Sequence, residues 1–253
     1  MKPKSGTSWH KQGKWYNRLV GSKGHYYHEH VVLPNVLRLL QLHKESILID
    51  IGCGQGILAK KIPQEIVYYG IDLAKSLISF AHKSDKNPRH TYVVADATHP
   101  LPLQNNNFTH AAAILSLQNM EHAELAIRYV SKHLQKNARY VIVLNHPSFR
   151  IPRQSGWGIG ENKLQYRYVN RYMSPLRIPV TMHPGGNSID VTWSFHQPLS
   201  FYAQALKENG FLIESIEEWG SDKESTGKAA KMENRSRQEI PLFMTLVCFK
   251  CGS

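Results

Sequence analysis

Long apolar runs are missing from this 253-residue chain, and no stretch approaches the roughly eighteen residues that a membrane-spanning helix requires. The first residues carry Lys2, Lys4, Lys11 and Lys14 among Ser, Gly and Trp and lack the apolar core of a secretory signal, so a cytoplasmic location without membrane insertion is expected. Cysteine is scarce. Cys53, Cys248 and Cys251 are too few for a disulfide framework, which agrees with a reducing compartment. Cys248 and Cys251 form a C-x-x-C, but no second pair accompanies them to complete a metal site. Acidic residues are outnumbered, 19 against 31 Lys and Arg, giving a formal charge of +12 and an isoelectric point near 9.6. That balance leaves room for an anionic partner such as RNA without specifying one. The hydrophobic content of 42% is ordinary for a globular protein, and the length suits one domain, residues 1–253.

What the chain does contain is a sequence of alternating strand and helix signals. Leu33, Val36, Leu37 and Leu40 follow helical spacing and predict a helix over about 30–43. Residues 48–56 then read LIDIGCGQG, a strand apolar enough to be buried on both faces that runs into Gly52, Gly54 and Gly56. Glycines at that spacing let the backbone turn sharply and approach a ligand closely. A helix is expected to open at Ile57, followed by a strand at 67–71 ending on Asp72, a helix around Leu77, Ile78 and Ala81, and a strand at 91–95 ending on Asp96. Further strands are expected at 111–117 and 140–144, with a helix through Leu125, Ile127, Val130 and Leu134 between them. After an interruption of about fifty residues, Pro198 and Gly210 bracket a helix, and 211–216 and 242–249 supply two last strands around a polar stretch at 221–239. Strands separated by helices imply parallel crossovers. The fold expected is α/β, a Rossmann-like seven-stranded, mostly parallel sheet with helices on both faces.

The glycine loop, Asp72 sixteen residues beyond Gly56, and Asp96 at the next strand end together resemble the class I S-adenosylmethionine-dependent methyltransferases, in the broad group that includes quinone-biosynthesis and biotin-pathway enzymes. Nicotinamide-binding proteins use a similar loop, but they usually show G-x-G-x-x-G and lack the second strand-end acid. The resemblance covers residues of about 45–146 by motif. It implies S-adenosylmethionine as cofactor, with S-adenosylhomocysteine as product, held by Asp50, Gly52, Cys53, Gly54, Gly56, Asp72, Leu73, Asp96, Ala97 and Leu115. In the family, the residue matching Asp50 lies near the methionyl ammonium, Asp72 accepts from both ribose hydroxyls, and Asp96 with Ala97 meets the adenine. On the residues alone, Asp72 and Asp96 could also simply cap helices or turns.

Substrate choice is expected to reside in two places. Residues 1–29, rich in Trp15, Tyr16, His25, Tyr26, Tyr27 and His28, resemble a lid over cofactor and acceptor. The insertion at 146–197 interleaves Phe149, Trp157, Tyr166, Tyr168, Tyr172, Met182 and Trp193 with five arginines, and its alternation over 164–182 predicts a β-hairpin turned at Ser174 and Pro175. Such aromatics can also build an ordinary packed subdomain. Tyr27, Asn119, Trp157, Tyr168 and Met182 are the candidate substrate contacts, with Asn119 alternatively the N-cap of a helix beginning near Glu121. His146, just past the fifth strand, is the first candidate general base, with His28 and His183 behind it. His25, His28 and His30 lack accompanying thiolates or carboxylates, and no metal is expected.

Three functions are open at this level. The first is methyl transfer to a hydroxyl or nitrogen of a small aromatic or apolar molecule. The second is methylation of tRNA or rRNA, favoured by six basic and no acidic residues among the first 24. The third is a cofactor-binding regulator or partner subunit without catalysis.

Overall fold

The computed structural model describes residues 26–181 and 191–252. Seven strands form one sheet: β1 (Ile47–Ile51), β2 (Val67–Asp72), β3 (His90–Val94), β4 (Phe108–Ile114), β5 (Leu134–Asn145), β10 (Phe211–Trp219) and β11 (Phe243–Lys250). Their spatial order is β10-β11-β5-β4-β1-β2-β3, and only β11 runs antiparallel to its neighbours. The order reverses at β1 and β4, so a crevice opens beyond their C-terminal ends, where open α/β sheets take ligands.

Alternation along the central strands explains the two-sided core. Ile49 and Ile51 of β1, and Tyr140, Ile142 and Leu144 of β5, face a cluster completed by α3 (Ala123–Ser131) and α4 (Leu199–Glu208). Leu48, Val141 and Val143 face the opposite cluster, which takes Val36 and Leu40 from α1 (Leu33–Leu40) and Ile78 and Ala81 from α2 (Lys75–Ser84). Such strands are hydrophobic throughout because both faces are covered. The edge strand β10 instead alternates in exposure, with Glu214 and Glu218 among its exposed positions, and those charges discourage pairing with another chain. Among the described residues no helix is long and apolar enough to cross a membrane.

Several local expectations differ from what forms. The first helix begins as a π-helical turn, His28–Val32, in which the Leu33 N–H reaches back to the His28 carbonyl, and it stops at Leu40 because Gln41 turns left-handed (φ 50°). No helix opens at Ile57. Residues 54–62 form a run of turns, since Pro63 biases its predecessor away from helix and leaves fewer than two turns of chain after Gly56. The fourth strand starts three residues early, at Phe108, and ends at Ile114 because Leu115 takes φ 52°. Asn119 caps nothing: it closes a 3-10 turn, Leu117–Asn119, donates from Nδ2 to the Leu115 carbonyl at 3.1 Å, and the helix begins later, behind His122.

The insertion makes two hairpins instead of one. β6 (Ser155–Ile159) pairs with β7 (Gln165–Val169), and β8 (Leu176–Thr181) pairs with β9 (Val191–His196). Tyr166 and Tyr168 lie over Gly158 and Gly156 across the β6–β7 pair, where any Cβ on the glycines would collide with the rings. That fit ties 165–169 to 155–159 and leaves Ser174 and Pro175 as the connection to β8. A fifth helix, α5 (Ala230–Glu239), lies within the polar stretch before β11.

Candidate active site

The crevice is built by backbone geometry around one carboxylate. Gly52 N–H and Cys53 N–H both donate to the Ile71 carbonyl, at 2.8 and 3.0 Å, and fold the glycine loop across the end of β2. Asp72 then clamps the loop: Oδ2 accepts from Gly54 N–H at 2.9 Å and Oδ1 from Ala74 N–H at 2.7 Å. Burial raises the Asp72 pKa while those two N–H groups restrain the rise. The three glycines have three different tasks. Gly52 (φ 74°) has no room for a side chain, since a Cβ there would overlap Ser116, whose hydroxyl donates to the Ile51 carbonyl at 2.6 Å. At Gly54 (φ 57°) a Cβ would meet no atom within 4 Å, so its open face belongs to the crevice. Gly56 lines neither adjoining cavity; a Cβ there would lie 2.6 Å from the Tyr92 hydroxyl, and its task is packing.

The main cleft is open to solvent and offers about 160 Å³ of space. Gly52, Gly54, Asp72, Leu73, Asp96, Ala97 and Leu115 line it, as do His28, Asn119 and Met120. Asp96 serves the turn as well as the wall: Oδ1 accepts from Thr98 N–H at 2.9 Å and from the Thr98 hydroxyl at 2.7 Å. A second cavity, of about 50 Å³, is lined by Gly52, Gly54 and His28 together with Asp50, Cys53 and Gln55. Asp50 is 3% exposed and accepts from the Tyr68 hydroxyl at 2.7 Å. Burial pushes its pKa up to about 7, the Tyr68 bond opposes this, and the Asp72 charge adds to it. A buried carboxyl so poised gains a partner when a cation enters.

These residues fit S-adenosylmethionine. A long cleft with an uncrowded glycine face, strand-end carboxylates along it and a buried acid at one end suits an extended ligand with hydroxyls and a positive charge. Leu115, strained at φ 52° where the backbone bends round the cleft, is the kind of non-glycine outlier found at ligand sites.

Residues 49–142 match the family model described as a methyltransferase domain. Solved structures agree in fold. An S-adenosylmethionine-dependent methyltransferase from Mesorhizobium loti superposes with a TM-score of 0.67 at 22% identity, covering 85% of this chain and 96% of that one. A candidate S-adenosylmethionine-dependent methyltransferase from Listeria monocytogenes gives 0.65 at 20% identity, covering 86% and 97%. A complex of the Haloferax volcanii Trm112 methyltransferase activator with a candidate methyltransferase gives 0.67 at 12% identity, covering 96% of both chains. Residues 49–142 carry a methyltransferase domain, and the chain shares the fold of S-adenosylmethionine-dependent methyltransferases. No curated protein matches it by sequence.

In this methyltransferase the sequence-predicted residues fall into three groups. Asp50, Gly52, Cys53, Gly54, Asp72, Leu73, Asp96, Ala97 and Leu115 all line the two adjoining cavities, and so do His28 and Asn119. His146 does not. It is buried 2.5 Å from Glu218 through Nε2, while Nδ1 accepts from Ser148 N–H at 3.2 Å, so neither ring nitrogen is left for an acceptor. Its pKa is lowered by burial, with the Glu218 bond opposing. Tyr27 binds the Ser221 hydroxyl at 3.0 Å and packs edge-on to Phe243, and Lys223 lies over it and Tyr26, which ties the end of the N-terminal segment to the loop after β10. Trp157 lies under Arg167 at 5.1 Å, and Tyr168 is 53% exposed. His183, Met182 and residues 1–25 of the expected lid lie outside the described residues. Ser116 and Met120 also line the cleft, in the stretch directly after the fourth strand.

Proposed function

We propose that this methyltransferase transfers the methyl group to a hydroxyl or nitrogen of a small, flat, apolar or aromatic acceptor. The observation that carries the reading is the cleft itself, where His28, Asn119 and Met120 line the same walled space as Gly52 and Asp72, so an acceptor and a proton-accepting histidine can meet the cofactor there.

Bound S-adenosylmethionine supplies a methyl group on a positively charged sulfur. The chain's own residues do the rest. Asp72 presents a carboxylate already fixed by two backbone N–H groups, and Asp50 offers its charge to a cation. His28, the histidine that lines both cofactor cavities, is the group to take a proton from an acceptor hydroxyl. Alignment and exclusion of water contribute the larger part of the rate.

The test is incubation of the full chain with labelled S-adenosylmethionine and fractionated extract, with and without ribonuclease. Label in a small molecule that survives ribonuclease supports the reading, and label lost with the nuclease overturns it. One observation favours the RNA alternative: Tyr166, Tyr168 and Met173 are exposed on the insertion among Lys163 and Arg171. That surface predicts RNA binding that weakens steeply with salt.

A further inference from the structure

The described residues leave eleven large hydrophobic side chains exposed, and six of them, Ile159, Leu164, Tyr166, Tyr168, Val169 and Met173, fall within fifteen residues of the insertion. Strand geometry explains the concentration. Tyr166 and Tyr168 are two apart on β7 and share a face, which Leu164 continues with extended backbone (φ −80°, ψ 122°). Opposite them β6 offers Gly158 and Gly156, so the rings rest on backbone and their outer sides stay open, at 52% and 53% exposure. The other face is taken up by the body of the protein: Arg167 donates from Nε to the Phe149 carbonyl at 2.7 Å and lies over Trp157 at 5.1 Å. Ile159 stands at the hairpin's end, 65% exposed. An exposed cluster of this kind marks a surface that something else covers.

Charge and side-chain type select the occupant. Residues 150–173 hold five basic side chains and one acid, Glu161, and Arg153, Lys163 and Arg171 are exposed. A net charge of +12 repels a second copy of the chain and attracts an anionic surface. Four of the six apolar side chains are not aromatic, so they give bases nothing to stack on, whereas all four transfer favourably into hydrocarbon. The tyrosines join an apolar body to a polar tip, as the boundary between acyl chains and headgroups requires. We propose that the β6–β7 hairpin is a peripheral docking arm for an anionic lipid bilayer: Ile159, Leu164, Tyr166 and Tyr168 settle at the acyl boundary, and Lys163 and Arg171 meet the headgroups. Nothing crosses the membrane in this arrangement. The inference goes beyond the acceptor reading and does not depend on it, although a bilayer is where an apolar acceptor collects.

The experiment is cosedimentation of the full chain with vesicles of phosphatidylcholine alone or mixed equally with phosphatidylglycerol, with polyuridylate binding measured in parallel. The mixed vesicles should bind about tenfold or more tighter than the neutral ones, and salt should weaken that binding. A protein this basic adheres to any anionic surface, so the deciding variant is uncharged. Ile159→Ser combined with Leu164→Ser keeps every charge and should weaken binding to mixed vesicles about tenfold or more. Lys163→Gln combined with Arg171→Gln should weaken it by a similar factor. Both pairs should leave S-adenosylmethionine affinity unchanged, because none of the four residues lines the cofactor cavities. No binding to mixed vesicles, binding no tighter than to neutral ones, or binding indifferent to the serine pair would overturn the proposal. Polyuridylate binding without vesicle binding would also overturn it and assign the arm to RNA. Vesicle binding is read without turnover, so its failure is distinguishable from failure of the small-acceptor reading.

Discussion

The cofactor cleft and the insertion solve opposite problems with their polar groups. Around the glycine loop the carboxylates are already occupied by the protein itself: Asp72 by two backbone N–H groups, Asp96 by Thr98, Asp50 by Tyr68. Behind the 117–119 turn, Arg150 Nε and Gln118 Oε1 have no hydrogen-bond partner among the described residues. A site satisfied in advance is rigid and ready for a ligand that adds a few bonds. A site with buried unpaired groups carries a free-energy cost. The first arrangement suits a cofactor bound in every turnover.

The comparison breaks most visibly at the histidines. His28→Ala should lower kcat by roughly 10²–10⁴ if it takes the acceptor proton, whereas His146→Ala should change kcat by less than about tenfold, because both its nitrogens are committed within the fold. Steady-state kinetics of the two variants decide between them, and the reverse ranking would restore His146 as the base.

Next come the glycines, which separate packing from binding inside one loop. Gly52→Ala should cost about 2–4 kcal/mol of stability, from positive φ and overlap with Ser116. Gly54→Ala should cost only about 1–2 kcal/mol, for its φ alone, yet weaken cofactor binding by placing a methyl in the open cleft. Denaturant melts paired with calorimetry would show the split, and equal effects on both quantities for both variants would remove it. Asp72→Ala should weaken S-adenosylmethionine binding by about 2–3 kcal/mol, as expected for a charged acceptor. Since Asp72 also clamps Gly54 and Ala74, that variant should lose some stability as well.

A smaller effect reads the electrostatics of the cleft. The Asp50 pKa is raised from 3.8 to about 7 in the folded chain, so the folded state keeps a proton that the unfolded chain releases between those values. Stability of the cofactor-free protein should therefore fall as pH rises through that window and level off above it. Asp50→Asn should flatten this slope and weaken cofactor binding at pH 8, measured by thermal melts and titration across pH. An unchanged slope would contradict the assignment.

The sheet, the glycine loop and the strand-end acids were legible in the sequence because each rests on local patterning: two-sided apolar strands, glycines at a turn, and an acid where a strand stops. The insertion was legible only in composition. Its strands are short, and their pairing is decided by contacts distant in sequence, such as Tyr168 over Gly156, which alternation along 164–182 does not reveal. His146 was misplaced for a related reason. Its position after β5 is right for a catalytic group, but Glu218, which captures it, lies 72 residues away on an edge strand. Arg150 was visible only as one of several arginines; its lack of a partner is a property of the fold.

The most direct test of the account is mass spectrometry of the product formed from labelled S-adenosylmethionine and ribonuclease-treated extract. A methylated small aromatic or apolar molecule, whose formation falls with His28→Ala while the fold is kept, is the predicted result. Label confined to nuclease-sensitive RNA would contradict it.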